Sequence, residues 1–198
     1  MLKPLATLAL CSLTLLAVPG CRIHSTLDAK GGATVAVKYR VGKDATLEAE
    51  KKRMESPSVT VIKAALEEDN FTNFELKVDD ITKLSTAKFF EEAAITLTDG
   101  KEGTKVLTAK VTRKSPNKLP DEALAYFGKE FEVAVTLPGE VVSSNATKTD
   151  GNTVTWTYPM NDFMNAKETS MTVTYKNPAA EPAAAEPAKE PAAKPAEG

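Results

Sequence analysis

Apolar residues recur at every second position in several stretches of the chain, most clearly in the two arms that flank Asp150-Gly151-Asn152. Val154, Trp156 and Tyr158 share one face and Thr153, Thr155 and Thr157 the other, which is the period of a half-buried strand. Upstream, Phe131, Val133, Val135 and Leu137 alternate with Glu132, Ala134 and Thr136. Pro138-Gly139 then breaks regular pairing, and Val141-Val142 resumes a short extended piece. The residues of the intervening turn tolerate positive φ, so the pattern predicts a hairpin whose apolar face looks into the core.

The same period predicts strands at Ala33 to Val41, at Phe74 to Val78, and at the end of the domain, where Met171, Val173 and Tyr175 oppose Ser170, Thr172 and Thr174. Ile95 to Lys114, with Asp99-Gly100 at its turn, predicts another hairpin. Helical spacing is read at Lys43 to Glu55 and at Pro57 to Asp69. In the second of these the β-branched run Val59-Thr60-Val61-Ile62 leaves a strand open as the alternative. Ser85 to Ala94 predicts a short helix weighted by Phe89 and Phe90. Pro120-Asp121-Glu122 opens another that ends near Gly128 and docks through Leu124 and Phe127. A short turn is expected around Asn161 to Asn165. The expected fold is α+β, a mainly antiparallel sheet packed by two to four helices in a single domain over residues 33–176.

The two ends of the chain read differently. Residues 1–20 combine Lys3 with an uncharged apolar run from Leu5 to Val18, too short for a stable membrane span, and predict a signal peptide. Val18-Pro19-Gly20-Cys21 resembles a bacterial lipobox, in which the cysteine is acylated and becomes the new N-terminus; Pro19 is unusual there. Ordinary secretion and a retained membrane anchor are the alternatives. A diacylglycerol plus an amide-linked chain, palmitate for example, on Cys21 exceeds what stable anchoring requires. Residues 21–32, polar and ending in glycine, are then expected to be a lipidated N-terminal tether. Residues 177–198, built from Ala, Pro, Glu, Lys and Gly after Asn177, predict a disordered tail that serves either as an envelope spacer or as an inert solubilising segment.

Charge and cysteine usage narrow the chemistry. Without residues 1–20 the chain carries 24 bases against 27 acids, scattered among one another, which argues against nucleic acid as a partner. Of the two cysteines, Cys11 leaves with the signal, so no disulfide is expected in the exported domain. His24, the single histidine, is expected as a solvated tether residue, since no second histidine exists to build a metal site with it. No G-x-S-x-G elbow, phosphate loop or EF-hand spacing occurs. The acid pairs Glu67-Glu68, Asp79-Asp80 and Glu91-Glu92 read as solvated residues at element ends. No catalytic residue, metal site or cofactor is expected. Asn145-Ala146-Thr147 fits the glycosylation pattern, which a bacterial lipobox makes accidental. Phe89, Phe90, Leu124, Phe127, Trp156 and Tyr158, with Phe163, are the candidate lining of an apolar ligand pocket, or else simply core.

The run from Leu137 to Trp156, PG-x-VV followed by asparagine and then GNTVTW, resembles the C-terminal half of the LppM-type lipoprotein domain of bacterial envelope proteins. The residues that carry the resemblance are Pro138, Gly139, Val141, Val142, Asn145, Gly151, Asn152, Val154 and Trp156. The resemblance implies an α+β domain and a role in binding lipid or lipoglycan at the cell envelope. It also implies a membrane-anchored location on the exported side. Family members often carry a C-terminal membrane helix, whose place the Ala/Pro/Glu tail takes here. The expected function is therefore a non-catalytic, membrane-anchored module for lipid or another amphiphile. The alternative is a structural or assembly protein that contacts another envelope protein, and an unrecognised enzyme stands behind both.

Overall fold

Cys21–Leu27, expected as a tether, is instead a strand, β1, and it lies inside the larger of two sheets. Its pattern explains the placement. Cys21, Ile23, Ser25 and Leu27 alternate with Arg22, His24 and Thr26, so one face can be buried while the other, with His24, stays exposed. The computed structural model describes residues 20–178. Residues 1–19 of the expected signal peptide and 179–198 of the expected tail lie outside them.

Around β1, the larger sheet runs β3 (Val59–Leu66), β4 (Phe71–Val78), β2 (Ala33–Arg40), β1, β7 (Glu130–Thr136), β10 (Thr153–Pro159) and β9 (Lys148–Asp150). β1 pairs antiparallel with β2 and parallel with β7, Cys21 standing opposite Phe131. The smaller sheet runs β5 (Ala93–Asp99), β6 (Thr104–Thr112), β11 (Glu168–Lys176) and β8 (Val141–Ser144), all antiparallel. The inner faces of both sheets feed one core. Val35, Val37, Leu76, Val133, Val154 and Trp156 come from the larger sheet, and Leu107, Met171, Val173 and Tyr175 from the smaller. Each fully buried side chain of this kind stabilises by about 1.5–3 kcal/mol relative to exposure.

Short helices pack against the larger sheet. α1 (Leu47–Met54) starts where the Thr46 hydroxyl accepts from the Ala49 N–H at 3.2 Å, with acids in its first turn and Lys51, Lys52 and Arg53 in its last. α2 (Asp121–Phe127) packs by β2, and α3 (Met160–Asn165), expected only as a turn, packs by β7 and β10. The fold is α+β and mainly antiparallel, as expected.

Three local expectations need correction besides the tether. Pro57 to Asp69 is not a helix but holds β3, because the β-branched residues Val59, Thr60 and Val61 pair with β4. A register shift between Val61 and Lys63 then breaks the alternation, leaving Ile62 55% exposed and mimicking helical spacing. Ser85 to Ala94 forms no α-helix: Asp80 caps a 3-10 segment at Ile81–Thr86, a second follows at Lys88–Phe90, and Ala93 already belongs to β5. Finally, the two arms at Phe131 and Tyr158 do pair, but not as a simple hairpin. The chain crosses between them to the other sheet as β8, and the Asp150-Gly151-Asn152 turn joins β9 to β10. Gly139 makes that crossing feasible, since a Cβ there would lie 1.9 Å from the Lys176 carbonyl oxygen.

Candidate functional site

The two sheets do not meet all along their inner faces. Between them lies a cavity of about 400 Å³. One wall is β1 and β7, through Cys21, Ile23, Leu27, Phe131, Val133 and Val135; the other is β5 and β6, through Ile95, Leu107, Ala109 and Val111. Phe163 adds to it, with Met160, Met164 and Met171, whose thioethers adapt to irregular apolar shapes. The exposed lining residues Arg53, Lys88 and Glu91 mark where it meets solvent.

Cys21 and Leu27, and likewise Leu107 and Val111, line the cavity from along single strands, and the six steps of β1 make it ~20 Å long. One end is defined by a stack. Phe163 lies on Phe131 with ring centroids 3.9 Å apart, and the Arg113 guanidinium lies over Phe163 at 4.2 Å. Since Phe131 is the backbone partner of Cys21, Cys21 and Arg113 share this end. Burial pushes the Cys21 thiol from 9.0 up to about 12.

Arg113 is the least exposed charge of the lining, its side chain 11% exposed. Its Nε donates to the Phe163 carbonyl at 2.9 Å, and its Nη1 stands 3.6 Å from Glu92 Oε2. Its Nη2 is buried with no partner in the protein. Burial lowers the Arg113 pKa and the charge of Glu92 opposes that shift. At the other side of the mouth Phe89 is set between Tyr39 and Phe90, with both ring centroids 4.9 Å away. Tyr39 in turn donates to Glu50, which also accepts from Arg53 Nη1 at 2.8 Å. The Tyr39 phenol is raised by burial first and by Glu50 second.

The candidate pocket residues divide. Phe89, Phe90 and Phe163 line the cavity. Trp156 faces inward but is 3% exposed in solid core. Leu124 and Phe127 sit half-buried on α2, whose Tyr126 donates to the Val41 carbonyl at 2.9 Å, and Tyr158 only backs Phe163, with centroids 5.7 Å apart. Those four leave the lining because the cavity lies between β1 and β5–β6, away from α2 and β10. Sequence reasoning missed Cys21, Ile23, Leu27 and Arg113. The alternation of Cys21, Ile23 and Leu27 was the available signal; nothing in the sequence marks Arg113.

The acid pairs serve local structure. Glu67 accepts from Lys38 Nζ at 3.2 Å and also from Asn73, and Asp80 caps the first 3-10 segment. The Thr82 hydroxyl bond lowers the Asp80 pKa. Glu92 accepts the Lys114 N–H at 3.3 Å, and Glu91 lies 3.9 Å from Lys114 Nζ. Among the described residues no three His, Cys, Asp or Glu side chains gather as a metal set, and no helix is long and apolar enough to cross a membrane.

A family profile described as the LppM domain matches residues 20–177. The folded domain of Mycobacterium tuberculosis LppM, solved by NMR, is 12% identical to this chain. The alignment covers 80% of this chain and 90% of that one, with a TM-score of 0.48. No curated protein matches the chain.

Proposed function

This chain belongs to the LppM family, the membership of a lipoprotein-type protein of the bacterial envelope, and from that premise we propose that it is a lipid-anchored, non-catalytic module holding an amphiphile's apolar chain between its sheets. The cavity carries the reading: about 400 Å³ lined mainly by aliphatic, aromatic and thioether side chains, with its charged residues at the mouth and at Arg113. Ligand sites of ~300–1,000 Å³ with a few polar groups are the usual form of small-molecule pockets. Spread over the six residue steps of β1, ~20 Å, the space is long and narrow. Half of a bilayer's ~30 Å hydrocarbon core is ~15 Å, so one acyl chain of membrane length fits.

Cys21 links the site to the membrane. It stands at the Phe131–Phe163 end of the cavity, so an acyl anchor on it keeps the cavity close to the bilayer. Metabolic acyl labelling of the wild type against Cys21→Ala tests the anchor: label is expected on the wild type alone, and label persisting on the variant refutes anchoring at Cys21. The ligand is tested by titrating the purified mature chain with cis-parinaric acid. Saturable fluorescence at one site per chain is expected, and a non-saturating signal sinks the reading.

A second reading, contact with another envelope protein, draws on β3. This edge strand exposes Ile62 at 55% and Leu66 at 38%, an apolar edge of the kind that pairs with other chains. Crosslinking in cells tests it, and a solitary species throughout counts against it.

A further inference from the structure

We propose that Arg113 reads the head of the ligand, so that the cavity selects an anionic single-chain amphiphile, an alkyl chain ending in a carboxylate or a phosphate. The inference rests on the cavity reading above and adds a charge requirement to it.

Three observations carry it. First, Arg113 is the least exposed charge of a mainly apolar lining, with a side chain 11% exposed. The other charges of the lining, Arg53, Lys88, Glu91 and Glu92, are exposed or half-exposed at the mouth, and Arg53 is engaged by Glu50 and Glu91 by Lys114.

Second, its donors are under-used. A guanidinium has five N–H donors, accepts nothing and is not neutralised at ordinary pH. Here Nε is satisfied by the Phe163 carbonyl at 2.9 Å. Nη1 has only Glu92, at 3.6 Å, beyond hydrogen-bond range, and Nη2 has no partner in the protein. An unpaired donor on a buried charge is costly, and the group that relieves it must be an acceptor, best an oxyanion.

Third, the position suits a head group. Arg113 follows directly on β6, whose Val111, Ala109 and Leu107 line the cavity beyond it. A chain lying along β6 from Arg113 toward Leu107 has its head at the guanidinium and its tail among apolar side chains. The ring of Phe163 under the guanidinium at 4.2 Å fixes the plane of the fork. Because this end also holds Cys21, the head stays at the end that an acyl anchor keeps at the membrane surface.

The test compares three probes with the same alkyl chain, laurate, lauryl phosphate and lauryl alcohol, each displacing cis-parinaric acid from the mature chain. Laurate or lauryl phosphate is expected to bind about ten- to a hundredfold tighter than the alcohol, the range of a charged hydrogen bond. The tighter of the two anions identifies the head. In Arg113→Gln that preference is expected to vanish, the anions weakening by about ten- to a hundredfold and the alcohol by much less. Equal affinity of all three probes for the wild type, or equal weakening of all three in Arg113→Gln, overturns the inference and leaves the cavity standing. Binding of none of them overturns the cavity reading and the inference with it. Should Arg113→Gln not fold, Glu92→Gln decides. Removing the competing carboxylate is expected to tighten the anions relative to the alcohol, and an unchanged ratio of anion to alcohol affinity refutes the role of Arg113.

Discussion

The Trp156 indole N–H donates to the Asn145 side-chain oxygen at 2.8 Å, and this bond joins the two sheets. Trp156 belongs to β10 of the larger sheet, whereas Asn145 follows β8 of the smaller one. The same Asn145 oxygen accepts the Thr172 N–H at 2.8 Å, and its Nδ2 donates to the Ser170 carbonyl at 2.9 Å. One amide therefore ties β8, β10 and β11 together. Replacing Asn145 by Ala is expected to cost about 2–4 kcal/mol, because it strands the Trp156 and Thr172 donors. Urea unfolding followed by the emission of Trp156, the single tryptophan, measures it. A loss under 0.5 kcal/mol would mean that the clamp is not holding the sheets.

Gly139 sets where the chain leaves one sheet for the other. Its missing side chain admits the Lys176 carbonyl oxygen to within 1.9 Å of the Cβ position, and that neighbour is backbone of the paired strand β11. Gly139→Ala is expected to destabilise by about 3 kcal/mol or more, by displacing β11 from β8. Thermal unfolding of the variant checks it. A neutral result would show that the crossing shifts freely.

β1 makes a sharper demand. As a tether, residues 21–29 would be dispensable; as a strand between β2 and β7, they carry hydrogen bonds on both sides. A chain beginning at Lys30 is expected to lose cooperative unfolding, since β2 and β7 are left with unpaired edges and the cavity with one wall missing. A sharp thermal transition in that truncation would restore the tether.

What the sequence showed depends on where alternation ran unbroken. β2, β4, β7, β10 and β11 each put apolar residues on every second position, and the PG and GN motifs sit at the crossing and the turn that need glycine. β3 hid because its bulge at Ile62 converts period two into something like a helical stripe. β1 hid because its inward positions include Cys21 and Ser25, small and weakly apolar, next to Arg22 and His24. The cavity was only half legible. Aromatic residues can be counted from sequence, but which of them line a space depends on the two sheets diverging between β1 and β5–β6, and Arg113 matters only for where Phe163 and Glu92 place it.

The Cys21 thiol gives a pH test in the unacylated chain. Burial raises its pKa from 9.0 to about 12, so the folded state favours the neutral thiol. That contribution to stability is fully present below the unfolded value and is lost as pH rises from about 9 towards 12. Because only the thiolate reacts, iodoacetamide at pH 8 is expected to alkylate the folded chain much more slowly than the urea-unfolded chain. Equal rates in both states would place the thiol in water and remove it from the cavity wall.

The cavity's length sets how affinity grows with the ligand. Each methylene transferred from water into apolar surroundings contributes about 0.8 kcal/mol, or roughly fourfold in Kd. Across a series of saturated fatty acids, affinity for the mature chain is expected to rise by about that factor per carbon and then level off, once the chain spans the distance from Arg113 to the Leu27 and Leu107 end. Ala109→Phe, which puts a ring into the middle of the lining from β6, is expected to move that plateau to shorter chains. Its stability should change by less than about 1 kcal/mol, because the ring fills existing space. Displacement titrations give both curves. A series that keeps rising without a plateau, or a plateau that Ala109→Phe leaves in place, would mean that the chains bind on the outside of the sheets and not between them.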